Sequence, residues 1–173
     1  MVAFFLAGLL LVGRATSPGS DSLLEQAEHL FLNRHLASGW ADSALALASR
    51  PATGKAGLAL RARMYCQLGE EAPDRETQVR LCRRARAAAD SLLALDENSA
   101  AGQLWRASAL GRLVALQGPL RAAAAAADIR RGLERAVELA PRDALARYAL
   151  GRLMNELPGM LGGSRARAED ELR

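Results

Sequence analysis

Aromatic residues are scarce in this chain, at 4% of 173 positions. An interior built on stacked rings is therefore excluded, and alanine and leucine supply the apolar half of the composition instead. Both are strong helix formers, and small alanines let helix axes approach closely. Strict apolar–polar alternation is missing throughout, which removes half-buried strands from consideration. No concentrated basic stripe exists either. The net charge is +4, from 23 basic and 19 acidic side chains, and the two signs are interspersed. That pattern argues against a nucleic-acid partner.

The groups that carry catalysis are thin as well. His29 and His35 lie six residues apart and do not share a helix face. Neither falls into an HExxH or CxxC spacing, no GxxxxGK[ST] phosphate loop occurs, and no nucleophile motif is found. Glu70 and Glu71 stand at a turn and read as solvated. The chain is therefore expected to be neither an enzyme nor a holder of metal or cofactor. Lys55 is the only lysine. The arginine and alanine bias is read as genome composition, and no function is drawn from it.

The densest basic cluster is Arg80, Arg83, Arg84 and Arg86. Glu76 precedes Arg80 by one helical turn and is placed to pair with it. The cluster reads as a solvated helix face, with an anionic-partner patch as the alternative. Cys66 and Cys82 fall on two helices joined near Gly69 to Pro73. Cys66 is about one turn from that connection and Cys82 about two, at about 1.5 Å per residue. A disulfide tolerates little offset of this kind, so two separate buried thiols are expected.

One long apolar run is present. Val2 to Val12 (VAFFLAGLLLV) is shorter than the roughly 20 residues that span a bilayer, and its length suits the core of a signal peptide. Gly13-Arg14-Ala15 then puts small residues at the −3 and −1 positions of a cleavage site, and Thr16 to Ser20 reads as a linker. The expectation is an exported protein of a bacterial periplasm or cell envelope. Residues 1–20 form its signal peptide or membrane anchor with linker, and the membrane is touched only there. A buried core helix is the other reading of the run. The missing basic stretch before it suggests that the true start lies upstream.

What remains is helical from end to end. Leu23, Ala27, Leu30 and Phe31 follow i, i+4, i+7, i+8, as do Ile129, Leu133, Ala136 and Val137. Cys82, Ala85, Ala89, Leu92 and Leu93 form a further stripe, and so do Leu150, Leu153, Met154 and Leu157. Breaks at Ser38-Gly39, Pro51 to Gly54, Gly69 to Pro73, Asp96 to Ser99, Gly118-Pro119, Pro141, and Pro158 to Gly163 predict about eight helices. Asp74 and Ser164 are placed to cap two of them. Short connections make neighbours antiparallel, so residues 21–173 read as one domain of stacked hairpins.

The hairpins repeat. Ile129, Leu133, Ala136 and Pro141, at spacings of four, three and five, match the second half of a tetratricopeptide repeat. Leu150 and Gly151 fit the Leu-Gly pair of the next repeat, with Gly151 expected where two helices touch, and Ala168 continues the stripe. Upstream, Ala85, Ala89, Leu92 and Glu97 keep the spacing, while Ala62, Tyr65 and Gly69 fit a first half. The fold expected is all-α, a tetratricopeptide-like right-handed solenoid with connections longer than the roughly 34-residue consensus allows. The last helix looks unfinished at Arg173, and the sequence reads as lacking its final repeats.

Two resemblances follow from these segments. From Gln103 to Arg173 the chain resembles the divergent tetratricopeptide proteins of the regulator of microtubule dynamics family. LWRASALGRL (Leu104 to Leu113, with Trp105), RAVELAP (Arg135 to Pro141) and the loop LPGMLGG (Leu157 to Gly163) carry that likeness. The LP…GG loop, followed by Ala168 and Leu172, is also similar to the T component of tripartite ATP-independent periplasmic transporters. The second likeness implies an exported helical protein that holds a small apolar or anionic ligand. The loop itself reads as a rigid connector, or as a glycine cradle for an anion beside Arg165 and Arg167.

The function expected is an exported scaffold for protein–protein interaction in the cell envelope. The alternative is a small-molecule-binding component of a transporter. A buried cavity would favour the alternative, and an open groove the scaffold. An intracellular adaptor is a third reading, if the N-terminal run is a core helix. In this register the groove positions of three successive first helices are Arg63 and Gln67, then Ser108 and Arg112, then Tyr148, Arg152 and Asn155. Each helix offers one arginine, which would suit an acidic peptide or another anionic ligand. The opposing reading leaves those arginines simply solvated.

Overall fold

The computed structural model describes residues 18–157 and 165–172. The helices are α1 (Pro18–Leu32), α2 (Trp40–Ala48), α3 (Gly54–Glu71), α4 (Arg75–Leu95), α5 (Ala100–Gln117), α6 (Pro119–Leu139), α7 (Ala144–Glu156) and α8 (Arg165–Leu172). One 3-10 turn, Pro51–Thr53, leads into α3. Strands are absent among the described residues. The chain is all-α and solenoid-like, as the periodicity predicts.

The helix starts have identifiable chemical causes. Asp74 accepts a hydrogen bond from the Thr77 amide at 2.8 Å and caps α4. Ser99 accepts from the Gly102 amide at 3.2 Å, and Asp143 accepts from Leu145 and Ala146 at 2.9 and 3.3 Å. Each satisfies amides that a helix start would otherwise leave bare. The turn into α6 runs through Gly118 at φ 111°, a conformation that side chains with a Cβ rarely adopt, and Pro119 then opens the helix. Arg80 departs from expectation: it donates to the Thr77 hydroxyl at 3.3 Å rather than to Glu76.

The helices pack as successive pairs, α1 with α2, α3 with α4, α5 with α6, and α7 with α8. Each pair meets the next through α2 on α3, α4 on α5 and α6 on α7. The first helices also touch in sequence, α1 with α3, α3 with α5 and α5 with α7. Stacking of this kind spreads the core along the chain instead of gathering it at one centre. Ala27, Phe31, Ala44, Ala48 and Met64 fill the first pair and the near side of α3. Leu104, Ile129, Leu133, Ala136, Leu150, Met154 and Ala168 fill the region from α5 to α8. Between them lie two alanine-rich clusters, Ala62 with Ala88 and Ala89, and Cys66 with Ala85 and Ala109.

Trp105 packs against three of these four clusters and so joins the middle of the stack to its C-terminal part. Tyr65 borders the cysteine cluster, with Arg84 over its ring at 5.9 Å. The repeat positions Ala85, Ile129, Leu133, Ala136, Gly151 and Ala168 are all buried, and Pro141 lies exposed just beyond α6. Close approach is clearest at Gly132, where an added Cβ would stand 3.0 Å from the Cβ of Ala107. It is tighter still at Gly57, where that atom would lie 2.0 Å from the Thr53 hydroxyl and 2.5 Å from the Ala48 carbonyl. Cys66 and Cys82 are both buried free thiols, in line with the offset argument.

The apolar run Val2 to Val12, the Gly13-Arg14-Ala15 site, the Ser164 cap and most of the LPGMLGG loop lie outside the described residues.

Candidate partner-binding face

The seven groove positions come from α3, α5 and α7. On α3, Ala62, Cys66 and Gly69 are buried toward α4 and α5, while Gly57 and Met64 are buried toward the first pair. Arg63 and Gln67 fall between those sides, at helical spacings that place Glu70 with them. Ser108 and Arg112 hold the matching place on α5, four residues apart and partly exposed. Tyr148, Arg152 and Asn155 share the solvent side of α7, opposite the buried Ala146, Leu150 and Met154. All seven positions therefore lie on the first-helix side of the stack.

Carboxylates hold this surface together. Arg63 Nη2 donates to Glu28 Oε1 on α1 at 2.6 Å. Arg112 donates in the same way to Glu70 on α3. Arg34, in the turn after α1, donates to Glu71 and stacks its guanidinium over the Phe31 ring at 4.3 Å. Arg152 has no partner of this kind on the preceding first helix. Its Nε donates within α7 to Glu156 at 2.8 Å. That bond and the Glu156 charge hold the Arg152 guanidinium above its ordinary range, with Tyr148 and Glu70 acting in the same direction. Glu70 thus joins α3 to α5 on the first-helix side of the stack.

Burial grades along the face. The Arg63 and Glu28 side chains keep 25% and 26% exposure, Arg112 and Glu70 keep 32% and 53%, and Arg152 and Glu156 keep 57% each. The Nε of Arg63 is buried without a hydrogen-bond partner, and its Nη2 makes the bond to Glu28. Tyr148 is 45% exposed. The surface offers guanidinium donors, carboxylate acceptors, the amides of Gln67 and Asn155, the Ser108 hydroxyl and the Tyr148 phenol ring. Among the described residues, no group of three or more His, Cys, Asp or Glu could hold a metal ion.

Sequence reasoning found the arginines and missed their partners Glu28 and Glu70. A signal was available, because each carboxylate lies about one repeat before its arginine, 35 and 42 residues earlier. The cleft of about 340 Å³ between Arg83, Arg86 and Asp90 of α4 and Leu110, Leu113 and Val114 of α5 is a surface feature open to solvent.

Beside this geometry stands a match to a known family. The family model described as regulator of microtubule dynamics protein 1-3 matches residues 23–160, from α1 to beyond the end of α7. The chain belongs to the regulator of microtubule dynamics family. The match takes in α1 to α4, where repeat logic alone had carried the likeness. It upholds the first of the two resemblances and gives no support to the transporter T component. No curated protein matches the chain. In this family member the first-helix face lies wholly within the matched span.

Proposed function

We propose that this chain is an exported scaffold of the cell envelope whose first-helix face takes up an acidic segment of a partner protein. One observation carries the reading: Arg112 and Arg152, on successive first helices, are both partly exposed on the same side of the stack. Guanidinium groups bind carboxylates through strong charge-assisted hydrogen bonds, and Tyr148 adds a flat amphipathic platform. Open presentation along helices suits a polypeptide better than a small molecule, which would call for a concave, largely enclosing pocket.

Selection of a random peptide library on the immobilised protein tests the reading. Acidic peptides should be enriched. Their binding should fall when Arg112 and Arg152 are replaced by alanine, and it should fall again with added salt. Enrichment of neutral or basic peptides, or acidic binders indifferent to both replacements, would overturn it. Export rests on the apolar run Val2 to Val12 and the small residues after it. Fractionation with N-terminal sequencing tests that part, and a full-length chain confined to the cytoplasm contradicts it.

The family description supports a second reading, in which the same face is an adaptor surface in the regulation of microtubule dynamics. Co-sedimentation with microtubules that is lost in the Arg112→Ala, Arg152→Ala double variant would favour it over the envelope scaffold.

A further inference from the structure

We infer that α1 and α2 form a detachable unit, latched onto α3 by Arg34, which opens from the stack while the remaining helices stay folded.

The cores are joined unevenly. Ala27, Phe31, Ala44 and Ala48 of the first pair pack with Met64 of α3, and Leu60 and Leu68 of α3 border them. Among the described residues, none of these belongs to the other three clusters. Trp105, in contrast, packs against all three of the others. The last pair has no separate interior either. One cluster runs from Leu104 and Ile129 through Leu150 and Met154 to Ala168, so α7 and α8 share their core with α5 and α6. Only the first pair is closed off, with one side of α3 as its wall. A unit bounded in this way opens at a lower free energy than the whole fold.

Polar contacts close the seam between that unit and α3. Arg34 lies in the turn after α1, and its Nη1 donates to the Phe31 carbonyl at 2.7 Å. That bond satisfies an acceptor which the end of α1 would leave bare. The same guanidinium covers the Phe31 ring at 4.3 Å. Its Nε donates to Glu71 at 3.1 Å, and Nη2 makes a second bond to that carboxylate. One side chain thus ends α1, covers a fully buried ring of the first core and holds the last residue of α3. Arg63 and Glu28 cross the same seam at 2.6 Å.

The connecting segment has a pivot. The Thr53 hydroxyl donates to the Ala48 and Arg50 carbonyls at 3.0 and 2.6 Å, which fastens the turn to the end of α2. Gly54 follows at φ 51° and opens α3. When the unit opens, the turn moves with α2, and Gly54 absorbs the change in backbone angles. Leu60, Met64 and Leu68 of α3 are then uncovered.

Amide hydrogen exchange of the full chain, read by mass spectrometry on peptic fragments, tests the latch. Fragments of α1 and α2 should lose protection together, at about one tenth or less of the protection of α4, α5 and α7. Arg34→Ala should lower protection in α1 and α2 at least about fivefold and leave α4, α5 and α7 near the parent. Added salt should act on the parent in the same direction and on Arg34→Ala less. Glu71→Gln keeps the contacts of Arg34 with Phe31 and is the milder variant, with the same pattern expected; it carries the test if Arg34→Ala fails to fold. Glu70→Gln, whose carboxylate pairs with Arg112 on α5, is the control and should leave α1 and α2 unchanged. Equal protection of α1–α2 and α4–α5 in the parent would overturn the detachable unit. So would α7 opening as readily as α1 and α2, because both outer pairs would then simply fray. A loss of protection spread over all helices in Arg34→Ala or Glu71→Gln, or none in α1 and α2, would overturn the latch.

Discussion

Arg112 on α5 is hydrogen-bonded to Glu70 on α3, 42 residues earlier in the chain, so this ion pair crosses from one repeat to the next. Arg63 on α3 makes the same kind of bond back to Glu28 on α1 across 35 residues. An arginine on one first helix and a glutamate on the preceding one is thus a recurring connection, and it lies on the face where a partner is proposed to bind. The two pairs differ in burial, and the energetic expectations differ accordingly.

The Arg63–Glu28 pair should contribute measurably to stability. A double-mutant cycle with Arg63→Met and Glu28→Gln, followed by chemical denaturation, should give a coupling of about 1 kcal/mol, the upper end for partly exposed pairs. The same cycle on Arg112 and Glu70 should give less. A larger coupling for the second pair would mean that Arg112, and not Arg63, is the structural tie.

Gly57→Ala should destabilise the fold by about 1–3 kcal/mol, because its Cβ would collide with Thr53 and with the Ala48 backbone. Thr53 has little room to give way, since its hydroxyl donates to the Ala48 and Arg50 carbonyls at 3.0 and 2.6 Å. Gly19→Ala, where nothing among the described residues stands within 4 Å, serves as the control and should not lower the denaturation midpoint. Equal midpoints for both variants would refute the close approach at α3.

Both thiols should be inert in the folded protein. Burial, the neighbouring Cys82 and Glu70 push Cys66 up to about 12, and burial also raises Cys82. Neither forms much thiolate near pH 8, so Ellman's reagent should react only after denaturation. The stability consequence has a definite sign. A thiol with a raised folded pKa contributes fully below its ordinary value of 9.0, and that contribution is lost as pH rises from there toward about 12. The denaturation midpoint of the parent should fall over that window more steeply than that of Cys66→Ala. A parallel fall in the two proteins would show that Cys66 is not the cause.

Trp105→Ala should cost about 3 kcal/mol, since the ring lies against three core clusters and its loss leaves a cavity where they meet. Denaturant titration by circular dichroism measures it. A cost under 1 kcal/mol would mean that the clusters hold together without the indole.

Much of this fold was legible because helical periodicity is a local signal. The stripe Ile129, Leu133 and Ala136 is buried as its spacing requires, and Asp74 caps α4 as its place after Pro73 suggests. Gly57 and Gly132 carried no such signal, since their role depends on Thr53 and Ala107 of other segments. The candidate face was legible by half. Arg63, Arg112 and Arg152 follow from repeat register, whereas Glu28 and Glu70 gain meaning only once α1, α3 and α5 lie side by side. Arg80 shows the limit of local rules: at helical spacing from Glu76 it turned instead to the Thr77 hydroxyl.

The central claim is that the partner lies on the first-helix face. Backbone amide resonances of the labelled protein, followed during titration with a selected acidic peptide, test it most directly. The account predicts shifts clustered at Gln67, Ser108, Arg112, Tyr148, Arg152 and Asn155, with Arg83, Arg86 and the exposed side of α6 unmoved. Shifts centred on α4 or α6, with those six positions silent, would contradict it.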